Sequence, residues 1–253
     1  MQCEPVAKEA CKDHNSCCLP WTHAIGGWGG AKYHGTSRGS TRTPVVFVHG
    51  NRSGADAWQT HAEDLLATGT PGDDIWAIEF SSKTPSHDQM ADELGAFISN
   101  IRSYTGHDEI DVVAHSLGVT GVRWWMDTQD GHQYVRRFIS IAGANHGLKL
   151  ATVAARLGIN RGAFGPAQFL RDDYNRFADH PLKRLNKSPE VPEDITAFTI
   201  LGKRDRLFRG SKRSPLLDNA ERNVVLDTGH SGSKNSAHAR KLILLLLGRP
   251  ESY

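Results

Sequence analysis

The sequence predicts an α/β fold: a compact, mostly parallel sheet of about six strands flanked by helices. Three observations carry that reading. Short apolar runs alternate along the chain with stretches of helical spacing. The first run, Pro44-Val45-Val46-Phe47-Val48, is continuously apolar, as a strand covered on both faces must be. No Pro/Gly-rich linker breaks the alternation after residue 43, so the strands belong to one domain.

The elements follow in order. Residues 1–43 are rich in Gly, Cys, His and Trp and show no period, so they read as a Cys-rich N-terminal extension. Residues 44–253 are the predicted domain. The strand at 44–48 ends in the turn-rich His49-Gly50-Asn51-Arg52-Ser53-Gly54. A helix over 55–67 and a strand over 74–80 follow. Residues 87–104 place Met90, Leu94, Phe97, Ile98 and Ile101 on one stripe, the pattern of an amphipathic helix. A strand at 110–114, a helix at 117–126 and a strand at 138–142 come next. Residues 148–193 read as a long, irregular, partly helical insertion. Its apolar positions Leu150, Val153, Ala154, Leu157, Phe164, Phe169 and Leu170 leave two readings open, a lid or acyl-binding wall and a plain surface helix. Strands at 195–201 and 223–226 and a helix at 237–247 close the domain.

Composition removes several function classes. Of the 253 residues, 38% are apolar and 23% charged, which suits a packed core rather than a disordered chain. Thirty Lys and Arg against 28 Asp and Glu leave +2, too balanced for a nucleic-acid binder. The longest apolar run, residues 242–247, is far short of the roughly 20 residues a membrane span requires. The four cysteines, Cys3, Cys11, Cys17 and Cys18, all fall in the first 18 residues. They read as two disulfides and point to a secreted protein. Pairing Cys17 with its neighbour Cys18 is disfavoured by ring strain. A four-thiolate zinc site would need Cys-x2-Cys spacings that are absent. The start Met1-Gln2-Cys3-Glu4 has neither the basic start nor the apolar core of a signal peptide, so a mature form is expected.

The chemistry concentrates at one turn. The strand at 111–114 runs into Ala114-His115-Ser116-Leu117-Gly118, after which a helix begins. This strand–turn–helix context lifts a serine hydroxyl out of the sheet at a helix N-terminus, where backbone N–H groups favour developing negative charge. Ser116 is therefore the candidate nucleophile; the bland reading is an N-cap serine. The small Ala114 stands where such turns usually carry Gly. The loop after the first strand supplies the other oxyanion donor in this architecture, which assigns the backbone N–H groups of Asn51 and Leu117. His49 is read as a brace for that loop.

A serine needs a base, and the base needs an orienting carboxylate, in the chain order Ser, acid, His. After Ser116 only His132, His146, His180, His230 and His238 remain. Asp205, in Gly202-Lys203-Arg204-Asp205 just past a late strand, is the favoured acid, with Asp218 as runner-up. Asp172, Asp173 and Asp194 read as surface charges. His230, in Asp227-Thr228-Gly229-His230-Ser231-Gly232 between the last strand and the last helix, is the favoured base, with His238 behind it. His146 precedes the acid and is read as lining the cleft. Of the neighbours Trp124 and Trp125, at least one is expected in the core.

With these residues in hand the sequence resembles the class 2 lipases, small bacterial members of the α/β-hydrolase fold. The resemblance runs from about residue 44 to 248. Its carriers are Pro44-Val45-Val46-Phe47-Val48-His49-Gly50, Asp111-Val112-Val113-Ala114-His115-Ser116-Leu117-Gly118, Leu182-Lys183-Arg184-Leu185-Asn186, residues 200–205 and Gly229-His230-Ser231-Gly232. Val119, where the family often has a second Gly, and Ile141-Ala142-Gly143 are similar to extracellular polyhydroxyalkanoate depolymerases. The resemblance implies a compact sheet without the first strands of the full fold, and ester hydrolysis by Ser116, Asp205 and His230 with no cofactor; some lipases hold a structural calcium, but no cluster of acidic residues in this sequence demands a metal. The expected function is a serine carboxylic ester hydrolase of lipase or esterase type, acting through an acyl-enzyme. A polyester depolymerase and a non-catalytic binding protein with a hydrolase fold are the alternatives. The expected partner is a small-molecule, lipid or polyester ester, not nucleic acid, and the chain is expected to be a monomer without a transmembrane segment.

Overall fold

The structure, a computed structural model, describes residues 26–249. The four cysteines, and with them the expected disulfides, lie outside the described residues. The sheet has seven strands rather than about six, in the order β1-β3-β2-β4-β5-β6-β7. These are β1 (Gly26–Gly29), β2 (Val45–Val48), β3 (Ile75–Glu79), β4 (Ile110–His115), β5 (Val135–Ile141), β6 (Thr196–Gly202) and β7 (Arg222–Leu226). All neighbouring pairs are parallel except β1 with β3.

The additional strand comes from the segment read as an extension. Gly27, at φ +133, lies so close to β3 that a Cβ there would sit 2.2 Å from the Ala77 carbonyl oxygen. Only glycine allows that approach. Trp28, between the glycines, is fully buried and stacks on Tyr33 of the short helix α1 (Gly30–His34). The chain up to β2 is then held by two buried carboxylates. Asp73 accepts from the N–H groups of Ala31 (2.7 Å) and Gly39 (2.8 Å), and Asp74 from those of Thr41 (3.2 Å) and Arg42 (3.0 Å). The expected boundary at residue 43 therefore does not coincide with an edge of the sheet.

The central strands are apolar because both faces are covered. Val45, Val46, Phe47 and Val48 have no exposed surface. Right-handed crossovers place α2 (Gln59–Ala67) on one face, because β2 to β3 runs one way across the sheet. The step from β3 to β4 reverses direction and puts α3 (His87–Thr105) on the other face, where it packs along α4 (Leu117–Thr128). The last helix, α8 (Ala237–Leu246), packs against α2. On α4, Trp125 is buried in the core while Trp124 is half-buried and donates to Asp88 (2.7 Å). β5 starts three residues earlier than its apolar run, because Arg136 and Arg137 pair with the buried Asp111 of β4. The segment between β5 and β6 carries α5 (Lys149–Arg156), two 3-10 turns and α6 (Pro181–Leu185). A short α7 (Gly232–Asn235) precedes α8. The reversal between β2 and β4 opens a crevice at their C-terminal ends, the place where open parallel sheets bind ligands.

Candidate active site

Ser116 lies between β4 and α4 with φ 55 and ψ −123, a backbone region that non-glycine residues rarely adopt. Such a conformation costs roughly 1–3 kcal/mol and persists only where surroundings over-determine it. Here its N–H donates to the Ile141 carbonyl of β5 (2.9 Å), and the loop after β2 lies so close that a Cβ at Gly50 would sit 2.9 Å from Ser116 Cβ. A Cβ at Gly118 would lie 2.4 Å from the His49 carbonyl oxygen, so the start of α4 reaches the first loop only as glycine.

The side chains singled out in three distant stretches of sequence meet here. His230 Nε2 is 3.0 Å from Ser116 Oγ, and its Nδ1 is 2.6 Å from Asp205 Oδ2. With Nδ1–H donating to the carboxylate, Nε2 is free to accept the serine proton. Asp205 is buried, and its other oxygen accepts from the Leu207 N–H (2.9 Å), which fixes the carboxylate plane. Each residue sits just past a strand's C-terminal end: Ser116 after β4, Asp205 after β6, His230 after β7. Asn51 follows β2, and both it and Leu117 line the same cavity. Among the described residues, the backbone N–H groups of Asn51 and Leu117 have no protein acceptor.

The other candidates are elsewhere. Asp218 pairs with Arg213 on the surface and His238 is exposed on α8. His146 does not line the cavity above Ser116; its Nε2 lies 2.8 Å from Glu190 Oε1. His49 is a brace. Its Nδ1 donates to the Gly50 carbonyl (2.9 Å), its Nε2 accepts from Phe80 N–H (3.4 Å), and burial pushes its pKa below the ordinary value. Asp173 is paired with Arg171 (2.6 Å) and Arg156 (2.7 Å), which hold its carboxyl well below the usual range.

The cavity above Ser116 measures about 300 Å³. Its wall is largely the insertion: Leu148, Leu150 and Ala151 of the α5 region, then Phe164, Pro166, Ala167 and Leu170. The Asn51 side-chain amide donates to the Ala163 carbonyl (2.9 Å), tying that wall to the first loop. The arrangement can bind an apolar chain beside a serine whose proton has an imidazole acceptor.

Two supporting residues escaped the sequence reading. Lys234, four residues past His230, is buried; its Nζ donates to the Ala57 carbonyl (2.7 Å) and lies 4.5 Å from the Trp58 ring centroid, with burial pushing its pKa down to about 8. Arg123 of α4 is buried and donates to the Leu185 and Glu190 carbonyls and to Asn145 and Asn186. Neither carries a sequence signal, since a buried cation reads like an exposed one until its neighbours are known. Among the described residues, no group of His, Cys, Asp and Glu is placed to hold a metal ion, and no helix is long and apolar enough to cross a membrane.

The model of one family, Lipase (class 2), matches residues 42–241. The chain belongs to the class 2 lipases. Solved structures of the same fold include Bacillus licheniformis lipase BlEst2 in its mature form, at 20% identity and TM-score 0.60. That match covers 81% of this chain and 92% of that one. The propeptide form of that lipase matches at 19% identity and TM-score 0.60, over 84% of this chain and 52% of the other, so this class 2 lipase spans about half its length. Aspergillus fumigatus lipase B matches at 15% identity and TM-score 0.62, over 83% and 54%. At these identities the likeness is one of fold, the α/β-hydrolase sheet flanked by helices.

Proposed function

We propose that this class 2 lipase hydrolyses carboxylic esters through an acyl-enzyme on Ser116. His230 Nε2 takes the proton as Ser116 Oγ attacks the ester carbonyl. The oxygen that becomes negative is stabilised by the N–H groups of Asn51 and Leu117. Collapse breaks the bond to the alcohol, which leaves with the proton from His230. Water then attacks the acyl carbonyl with His230 again as base, releasing the acid and restoring Ser116. Asp205 keeps Nδ1 protonated and stabilises the cationic ring. The observation that carries this reading is the chain of hydrogen bonds, 2.6 Å from Asp205 to His230 and 3.0 Å from His230 to Ser116, ending in an apolar cavity.

The substrate class follows from the wall. Leu148, Leu150, Phe164 and Leu170 favour an aliphatic acyl chain beside Ser116, as in acylglycerols and simple esters. The test is an ester chain-length panel run on the wild type and Ser116→Ala, with covalent fluorophosphonate labelling in parallel. The expected result is labelling of the wild type alone and a fall in kcat on the order of 10⁶ for Ser116→Ala. Undiminished turnover by Ser116→Ala would overturn the reading, and absence of labelling in the wild type would mark a non-catalytic binding protein.

A further inference from the structure

α5 presents its small residues to the protein and its large aliphatic ones to solvent. Ala151, Thr152, Ala154 and Ala155 are buried, whereas Leu150, Val153 and Leu157 are 52%, 54% and 69% exposed. The spacing i, i+3, i+7 puts these three on one stripe of the helix. Singly exposed aliphatic side chains are ordinary, but a row of them is not. The row also begins at the active-site cleft, since Leu150 lines the cavity above Ser116.

A second observation says what this row meets. The loop after Asp205 carries Arg206, Arg209, Lys212 and Arg213 with no acidic residue among them. All four are exposed. The loop abuts the start of α5, where the Lys149 N–H donates to Ser211 Oγ (3.1 Å), and its Leu207 lines the same cavity. Arg213 is paired with Asp218, but Lys149, Arg206, Arg209 and Lys212 have no acidic partner among the described residues. A chain of net charge +2 thus gathers unpaired cations beside an exposed aliphatic row at the mouth of its cleft. A second copy docking here through the same face would set like charges together. A surface with anionic groups at its rim and hydrocarbon beneath satisfies both halves.

We propose that α5 and the loop at 206–213 form one docking face for a lipid surface carrying anionic headgroups. Val153 and Leu157 enter the acyl region, the unpaired Lys149, Arg206, Arg209 and Lys212 sit at the headgroups, and Leu150 marks where a lipid passes into the cavity. The use of this face rests on the ester-hydrolase reading, but the binding itself does not.

The experiment is co-sedimentation of the full chain with phosphatidylcholine vesicles, with and without phosphatidylglycerol. The expected result is binding to the anionic vesicles that weakens as salt screens the charges. The triple variant Lys149→Gln/Arg209→Gln/Lys212→Gln is expected to lose about fivefold per cation, on the order of a hundredfold in all, in partition to anionic vesicles. Its turnover of a soluble short-chain ester is expected to stay unchanged. Val153→Ser/Leu157→Ser is expected to weaken binding to the same vesicles with the charges intact. Equal binding of the triple variant and the wild type would overturn the proposal. So would no binding to either vesicle, or a stripe variant that changes only a monomer–dimer equilibrium in size-exclusion chromatography. In the wild type, absent vesicle binding with fluorophosphonate labelling present sinks this face alone, whereas absent labelling with vesicle binding present sinks the hydrolase reading.

Discussion

Asp205 is the residue whose change separates geometry from chemistry. It is buried and bonded on both oxygens, to His230 Nδ1 and to the Leu207 N–H. Asp205→Asn keeps the size and shape but can present an N–H to Nδ1, which forces the proton onto Nε2 and leaves no acceptor for Ser116. The expected outcome is a fall in kcat of about 10⁴ with little change in KM, read in steady-state kinetics on a soluble ester. Asp218→Asn, at the surface pair with Arg213, is expected to leave kcat unchanged. A loss of equal size in both variants would contradict the assignment. The three side chains around this hydrogen-bond chain were legible in the sequence because each is tied to a local signal. Ser116 has the small-x-Ser-x-Gly turn, Asp205 ends a late strand, and His230 lies in a loop that contains Gly229 and Gly232. His146 was misplaced because chain order says nothing about Glu190, 44 residues away and 2.8 Å from its ring.

Elements were legible where burial leaves a period and silent where backbone contact replaces it. β2 through β6 show apolar runs because neighbours on both sides exclude water from them, whereas β7 is an edge strand exposed over most of its length. β1 shows no such run, since three of its four residues are glycine and Gly27 is selected by its approach to Ala77, not by hydrophobicity. The one side chain that anchors β1 is Trp28, and Trp28→Ala is expected to cost about 3–5 kcal/mol in denaturant unfolding. Trp28→Phe is expected to cost clearly less, because it keeps a ring against Tyr33. If both cost nothing, β1 contributes no core. The insertion has an equivalent anchor in Arg123, which reaches from α4 to the carbonyls of Leu185 (2.7 Å) and Glu190 (3.1 Å). Burial lowers its pKa to about 10, so it stays charged at neutral pH and its acceptors stay occupied. Arg123→Met would strand those acceptors away from water. The expected loss is about 3–5 kcal/mol by thermal or denaturant unfolding, as when one partner of a buried polar pair is removed.

At the scale of the whole molecule, desolvated imidazoles join the layers of the fold and contribute to its response to acid, three of them with pKa values pushed to about 4 or below. His61 on α2 lies against Phe47 and Trp58 and is 3.2 Å from the Lys234 carbonyl; its pKa is pushed down to about 4. His87 opens α3, donates to Thr120 of α4 (2.9 Å) and stacks on Phe169 of the insertion, with its pKa near 3. His115 precedes Ser116, lies 4.8 Å from the His230 ring centroid and is also pushed to about 3. Desolvation is the leading cause in all three. Because the folded values lie below the ordinary 6.5, the unfolded chain takes up protons first as pH falls. Their contribution to stability is therefore complete above about 6.5 and is lost progressively toward pH 4 and below. Asp173, held low by Arg171 and Arg156, loses its contribution in the same direction. Each proton taken up only by the unfolded state steepens the decline by about 1.4 kcal/mol per pH unit. Denaturant unfolding measured from neutral pH to about pH 4 is thus expected to show a steady loss of several kcal/mol. In His87→Gln, which can still donate to Thr120, the slope is expected to fall by close to one proton. An unchanged slope would mean that His87 titrates normally in the folded protein and that the packing of α3, α4 and Phe169 around it admits water.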